Sequence, residues 1–247
     1  MLFDFHCHLD LMDNMRKIIT ESINTDLSLI AVGTTPRAFE KEIEFCKVNP
    51  NIHVACGLHP ELIRKRFSEK ELLLQYIPQS KFIGEIGLDY RKNNLYSKSE
   101  QLLVFKSVLS ECKRYGDRLL SIHSTKSAGD VIDLIKKSEV YKNNVCVLHW
   151  FSGSLQQMDQ AVEIGCFFSI NPQMLTTKSG VDIISEIPKD RIIIETDMPF
   201  TKAALDVNEY RDNLKKTVRD IHIIRDEVNE QTISNNSKAV LRKIDYI

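Results

Sequence analysis

The chain of 247 residues is poor in glycine (nine) and proline (seven) and carries a single tryptophan. Such scarcity excludes collagen-like and low-complexity chains, and a hydrophobic content of 43% excludes disorder. Its six cysteines, Cys7, Cys46, Cys56, Cys112, Cys146 and Cys166, are scattered without a Cys-x-x-Cys pair. That pattern excludes a disulfide scaffold and reads as reduced core residues. No uninterrupted apolar run reaches the roughly 18 residues of a membrane span. The opening Met1-Leu2-Phe3-Asp4-Phe5-His6 lacks the basic-then-apolar layout of a secretion signal, so a cytoplasmic location is expected. Charge of one sign is missing too: 33 basic against 34 acidic side chains leave a net charge of −1. No strong overall field draws the chain to a membrane or coats it on DNA.

What is present is an alternation. Short apolar runs occur at Leu2–Phe5, Leu27–Val32, Ile52–Cys56, Phe82–Ile86, Leu119–Ile122, Val145–Leu148, Cys166–Ile170 and Ile192–Ile194. They are nearly continuous in hydrophobicity and rich in β-branched residues, as parallel strands buried on both faces require. Longer stretches with helical spacing lie between them. Thr35-Pro36 reads as the N-cap and first residue of a helix with Phe39, Ile43 and Cys46 along one face. Ser97-Lys98-Ser99-Glu100 reads as a capping box before Leu102, Phe105, Leu109 and Cys112. Ser154 is placed to cap a helix carrying Met158, Ala161 and Val162, ended by Gly165. The alternation predicts an α/β fold, a (β/α)8 TIM barrel. A doubly wound open sheet is the alternative, but no Gly-x-Gly-x-x-Gly fingerprint follows the first run. No linker or composition shift divides the chain, and a barrel of about 250 residues can be one unit, so one domain over residues 1–247 is expected.

The ionisable residues sit at the ends of these runs. His6 and His8 follow the first, and His59 lies just past the third. Glu85 ends the fourth, His123 the fifth, His149 the sixth and Asp197 the eighth. In a barrel all seven emerge at the C-terminal mouth, where barrel enzymes build their sites. His53 and His222 do not fit this placement. Any one of the seven alone reads as a hydrogen-bonded rim residue; their convergence points to chemistry. His-x-His spacing turns both imidazoles to one side of a strand and Cys7 to the other. Glu85 lies inside Lys81-Phe82-Ile83-Gly84-Glu85-Ile86, and a buried carboxylate needs a cation or strong hydrogen bonds. Imidazole with carboxylate and no thiolate suits Zn, Mn, Fe, Co or Ni, and carboxylate also suits Mg. Six ligands exceed what one catalytic zinc takes. Two ions about 3.5–4 Å apart, bridged by a carboxylate and a water, use them all.

Six ordered segments carry a resemblance. Phe5-His6-Cys7-His8-Leu9, Gly57-Leu58-His59-Pro60, Gly84-Glu85-Ile86-Gly87-Leu88-Asp89-Tyr90, Ile122-His123-Ser124, His149-Trp150-Phe151-Ser152-Gly153-Ser154 and Glu195-Thr196-Asp197-Met198-Pro199 resemble the successive signatures of the TatD metal-dependent hydrolases. The resemblance implies an amidohydrolase-type barrel, two divalent ions and deoxyribonuclease activity, often from the 3′ end. It implies His6, His8, Glu85 and Asp197 at one ion, with Glu85, His123 and His149 at a second and Glu85 bridging. His59 matches a position facing the substrate phosphate. Where the family has arginine after His123-Ser124, this chain has Thr125-Lys126, which makes Lys126 the candidate replacement. The end of the seventh run, Ser169-Ile170-Asn171-Pro172-Gln173-Met174-Leu175, also departs from the usual glycine-containing loop. Asn171–Leu175 and His6-Cys7-His8-Leu9-Asp10-Leu11 resemble the TatD-type member of the Qat anti-phage defence systems, which implies partner proteins.

The expected substrate is DNA with single-stranded or frayed ends. Asp197 is expected to orient the attacking water and take its proton, with Glu85 between the ions. His59 holds a phosphate oxygen or assists the leaving group. Tyr90 either stacks on a base or packs on the barrel, and Trp150 is expected to face the helices. Ser152 and Ser154 open a helix, a possible anion site, with Ser154 read as its N-cap. The basic clusters Arg64-Lys65-Arg66, Lys136-Lys137 and Lys215-Lys216 read as solvated helix faces, with contact to a nucleic-acid backbone as the alternative. Two other functions stay open: a hydrolase of a small-molecule amide or ester, and a binding subunit of a larger complex.

Overall fold

Hydrophobic runs and amphipathic stretches fold as alternating strands and helices in the computed structural model, which describes residues 2–246. The strands are β1 (Leu2–Cys7), β2 (Leu27–Val32), β3 (Ile52–Ala55), β4 (Phe82–Gly87), β5 (Leu119–His123), β6 (Val145–His149), β7 (Phe167–Ile170) and β8 (Ile192–Ile194). The helices are α1 (Met15–Glu21), α2 (Pro36–Cys46), α3 (Ile63–Arg66), α4 (Lys70–Tyr76), α5 (Lys98–Tyr115), α6 (Ala128–Ser138), α7 (Leu155–Glu163), α8 (Lys178–Glu186), α9 (Val207–Ile224) and α10 (Glu230–Arg242). The fold is a (β/α)8 barrel.

Every strand pair is parallel and in chain order, within two arcs, β1-β2-β3 and β4-β5-β6-β7-β8. Two seams join the arcs. At the first, the Cys56 N–H donates to the Phe82 carbonyl at 3.1 Å and the Gly84 N–H to the Cys56 carbonyl at 3.0 Å. At the second, the Asp197 N–H donates to the His6 carbonyl at 2.9 Å and the His8 N–H to the Met198 carbonyl at 2.8 Å. Alternation along each strand sorts residues inside and out. Phe3, Phe5, Phe82, Leu119, Val145, Phe167 and Ile193 fill the lower barrel, and Val240, Leu241 and Ile244 close its floor. The other strand face packs on the helices through residues such as Leu29, Leu120, Leu148 and Ile194.

Several local readings are corrected. Strands β1, β4, β5 and β6 run one or two residues beyond the apolar runs, so His6, His123 and His149 lie within strands. In α2, Phe39 and Cys46 are buried but Ile43 is 43% exposed, and Glu42 takes the inward position. The capping box at Ser97 does not form. Its hydroxyl donates to the Asn94 carbonyl and accepts from Gln101 Nε2, so it is turned away from the helix it precedes. Thr35 precedes α2 without a side-chain cap, with Pro36 as the first helical residue. The Ser154 box does form, Gln157 N–H to Ser154 Oγ and Ser154 N–H to Gln157 Oε1. All six cysteines are buried and free. Among the described residues no helix is long and apolar enough to cross a membrane.

Candidate metal centre

The mouth is shaped by departures from regular strand geometry. In β1, Phe3 and Phe5 point into the barrel, whereas Asp4 reaches Tyr210 of α9, whose hydroxyl donates to Asp4 Oδ2 at 2.6 Å. Asp4 Oδ1 accepts the His6 N–H at 3.0 Å, and the register with β2 shifts between Asp4 and Cys7. This bulge aims His6 inward directly after Phe5. A second register shift falls between Ile83 and Ile86 and aims Glu85. Glycine is required at Gly57 for that approach: a Cβ there would lie 2.3 Å from the Glu85 backbone nitrogen.

Six side chains then converge. Glu85 Oε2 lies 3.4 Å from His6 Nε2 and 3.2 Å from His8 Nε2. Asp197 Oδ1 lies 3.6 and 3.5 Å from the same two nitrogens, which are 3.2 Å apart. Glu85 Oε1 faces the other way, 2.6 Å from His123 Nδ1, 3.2 Å from His149 Nε2 and 3.2 Å from His59 Nε2. The six sequence-predicted ligands are therefore brought together, with His59 beside them. Asp197 Oδ1 is buried and has no hydrogen-bond partner. Lone-pair atoms facing one another in a dehydrated cluster are what a divalent cation satisfies, so the donor set fits a metal.

Partners behind three of the four rings set which nitrogen faces the centre, while His8 Nδ1 is buried without a partner. His149 Nδ1 lies 3.1 Å from Glu195 Oε1, and His123 Nε2 lies 2.9 Å from Asp89 Oδ2. His6 Nδ1 lies 2.7 Å from Ser121 Oγ. In the neutral tautomer in which these outer nitrogens donate, the inner nitrogens turn their lone pairs to the centre, the form a cation selects. His59 differs. Its Nδ1 accepts the Glu61 N–H at 3.2 Å, so Nε2 carries the proton in the neutral ring. It is a donor to Glu85 rather than a ligand.

Asp89 and Glu195 are buried residues to which sequence reasoning gave no role, although both lie inside quoted motifs. Glu195 also accepts from Asn171 Nδ2 at 3.0 Å and from the Ser169 hydroxyl. A signal for it existed: it lies two residues before Asp197, at the next inward position after Ile193.

Burial and mutual charge set the electrostatics. Burial would raise the Glu85 pKa, but His59, His149 and His123 hold it well below the usual carboxylate range. Burial pushes the His6 imidazole well below its ordinary value, and His149 adds to this. His149 is raised well above its own: burial opposes, but Glu195 and Glu85 outweigh it. Burial pushes Asp197 up to about 7.

The central cavity, about 710 Å³, is lined by His8, His59, Glu85, His123, His149 and Asp197 together with Arg91, Thr125, Trp150 and Phe200. Trp150 packs against the core between strands and helices, as expected, and also borders the central cavity, where its φ of +41° takes the chain off β6. Tyr90 and Lys126 line a neighbouring cavity, not the central one. The Tyr90 hydroxyl donates to Asp130 at 2.7 Å, and the Lys98 ammonium sits 4.1 Å from its ring centroid. His53 stacks on Phe3 and Phe82 at the barrel floor, and His222 Nδ1 meets the Val228 carbonyl, both away from the mouth.

A model of the TatD-related DNases matches residues 3–242. The chain belongs to the TatD family. It resembles a metal-dependent hydrolase of Buchnera aphidicola subsp. Baizongia pistaciae, 31% identical over 212 residues that cover 81% of this chain and 78% of that one. A TATDN1 homologue of Enterocytozoon bieneusi, named as a deoxyribonuclease, is 31% identical over 159 residues, 59% of this chain and 55% of the relative. In fold, the Escherichia coli TatD homologue YjjV superposes with a TM-score of 0.82 over 97% of both chains at 22% identity. This TatD-family chain is thus a metal-dependent hydrolase, and its mouth carries the donors such an enzyme needs.

Proposed function

We propose that this TatD-family hydrolase cleaves phosphodiester bonds of DNA with two divalent ions, removing nucleotides from the 3′ end of single-stranded or frayed DNA. The observation that carries this reading is the division of Glu85, with Oε2 toward His6 and His8 and Oε1 toward His123 and His149. His6, His8, Glu85 and Asp197 would hold one ion, and Glu85, His123 and His149 the other. Mg, Mn, Zn, Co and Ni all suit these donors. Ions bound there supply Lewis acidity that makes hydroxide available near neutral pH and offsets charge on phosphoryl oxygens.

The protein's own groups do the rest. Asp197, with an oxygen free of hydrogen bonds, orients the attacking water and takes its proton. His59 Nε2–H donates to a non-bridging oxygen or to the leaving oxygen. Arg91 is held on the cavity wall by Asp89 (Nε to Oδ2, 2.8 Å) and by Glu61. It supplies the guanidinium that Thr125 lacks, which supports an anionic substrate. Tyr90 and Lys126 contact the strand beyond the central cavity. The names of the deoxyribonuclease relatives support DNA as substrate. The resemblance of His6–Leu11 and Asn171–Leu175 to Qat components supports a cytoplasmic role beside defence-system partner proteins, with residues 1–247 acting as one unit. Thr125 at the cavity wall is the observation favouring a second reading, an amide or ester of a small molecule.

The test follows 3′- and 5′-labelled single-stranded and duplex DNA with chelator, then with each metal restored, beside Asp197→Asn. Metal-restored shortening from the 3′ end, absent in the variant, is expected. Hydrolysis of an amide panel with none of DNA overturns the reading.

A further inference from the structure

We propose that a second anion site, built to hold the phosphodiester neighbouring the one cleaved, lies between the starts of α6 and α7; it rests on the nuclease reading above. A cavity of about 450 Å³ opens there, lined by Lys98, Ser124, Lys126, Gly129, Ser152 and Gly153 among others. Ser124 and Ser152 also line the central cavity, so the two are joined through a shared wall.

Four observations converge on an anion. First, α6 begins without a side-chain cap. Its N-cap residue Ser127 donates its hydroxyl to the Leu88 carbonyl at 2.6 Å, so no N-cap side chain closes the positive end of this 11-residue helix, and the first-turn Asp130 is engaged by Tyr90 and Lys98. The adjoining α7 is closed by its own capping box, which makes the contrast specific to α6. Second, the Ser124 hydroxyl is buried with no hydrogen-bond partner, and the residue is 4% exposed. A dehydrated donor without an acceptor is costly unless a ligand supplies one. Third, glycine near each helix start lets the two turns pack closely along the cavity wall, with Phe151 Cζ only 2.4 Å from where a Gly153 Cβ would lie. A Cβ on Gly129 would lie 3.1 Å from Gln157 Nε2, and one on Gly153 would lie 2.9 Å from Ala128 Cβ. Fourth, the local charge is positive. Lys98 lies 3.2 Å from Asp130, which offsets it, whereas Lys126 forms no ion pair among the described residues. An uncapped helix terminus, a hydroxyl and one uncompensated ammonium match a tetrahedral phosphate with several acceptor oxygens. The loop Ser124-Thr125-Lys126 thus spans both cavities, Thr125 on the central one and Lys126 on the side one.

Two measurements test the site on the Mg-loaded protein. Inorganic phosphate titrated by amide NMR is expected to shift Gly129 and Gly153 with saturation, and Lys126→Gln and Ser124→Ala are expected to weaken that response about tenfold. Saturation confined to the amides around His6, Glu85 and Asp197 overturns the proposal. In the second measurement, DNA carries a neutral methylphosphonate next to the cleaved linkage. That substitution and Lys126→Gln should each raise KM about tenfold, with no further rise when combined. Full additivity, or no effect of the neutral linkage, overturns the proposal while cleavage of ordinary DNA leaves the nuclease reading standing. Saturable phosphate at Gly129 and Gly153 with no DNA cleavage under any metal keeps the anion site and removes the nuclease reading.

Discussion

The two ends of this barrel are equally dry and opposite in chemistry. At the floor, Phe3, Phe82, Leu119, Val145 and Phe167 meet Val240 and Leu241 of α10, and removal from water is itself the stabilising term. At the mouth, the same strands place His6, His8, Glu85, His123, His149, Glu195 and Asp197 within a few residues of that apolar filling, each less than a tenth exposed. Dehydration there is a cost, offset by mutual charge and by the hydrogen bonds of Asp89, Glu195 and Ser121. The floor therefore sets how stable the barrel is, and the mouth sets what it does.

Substitutions at the two ends sharpen that division. Glu85→Gln should lower metal-restored hydrolysis on the order of a thousandfold, and losing the carboxylate that the imidazoles hold ionised should also lower the metal-free thermal transition. Activity retained in that variant would show that the centre does not depend on the shared carboxylate. At the floor, Phe167→Ala should cost roughly 3–5 kcal/mol of stability in urea unfolding, with turnover per folded molecule within a factor of two. A large fall in turnover would mean that the ends are coupled and the division is wrong. Glu195→Gln leaves every proposed ligand in place and loosens the ring of His149, along with the bonds Glu195 accepts from Asn171 and Ser169. Isothermal titration should show metal affinity reduced by roughly 10–100-fold. The smallest effect belongs to Asn229→Ala, which removes the cap accepting from Gln231 and Thr232 at the start of α10. It should cost about 1 kcal/mol, read as a lower Tm with hydrolysis unaltered.

The barrel was legible because strands buried on both faces leave continuous apolar runs, and eight such runs alternate with helical spacing. The apolar runs stop one residue short where the ladder continues through polar ligands: His123 and His149, read as ending the fifth and sixth strands, complete β5 and β6. The cap at Ser97 failed because Gln101, four residues on, and the Asn94 carbonyl, three residues back, engage the same hydroxyl, which a Ser-x-x-Glu pattern does not register. Among the mouth residues, the ligands stood out because each punctuates an apolar run. Asp89 and Glu195 did not, because the imidazoles that give them meaning lie on other strands, 34 and 46 residues away.

The two seams give the centre a mechanical meaning. His6, His8 and His59 belong to the three-stranded arc, and Glu85, His123, His149 and Asp197 to the five-stranded arc. Glu85 stands beside one seam and Asp197 beside the other, where few backbone bonds hold the arcs together. A cation gripped by His6, His8, Glu85 and Asp197 would act as a rivet through both halves at once. Loading it would slow the parting of the arcs, so amide exchange along both seams should become protected together.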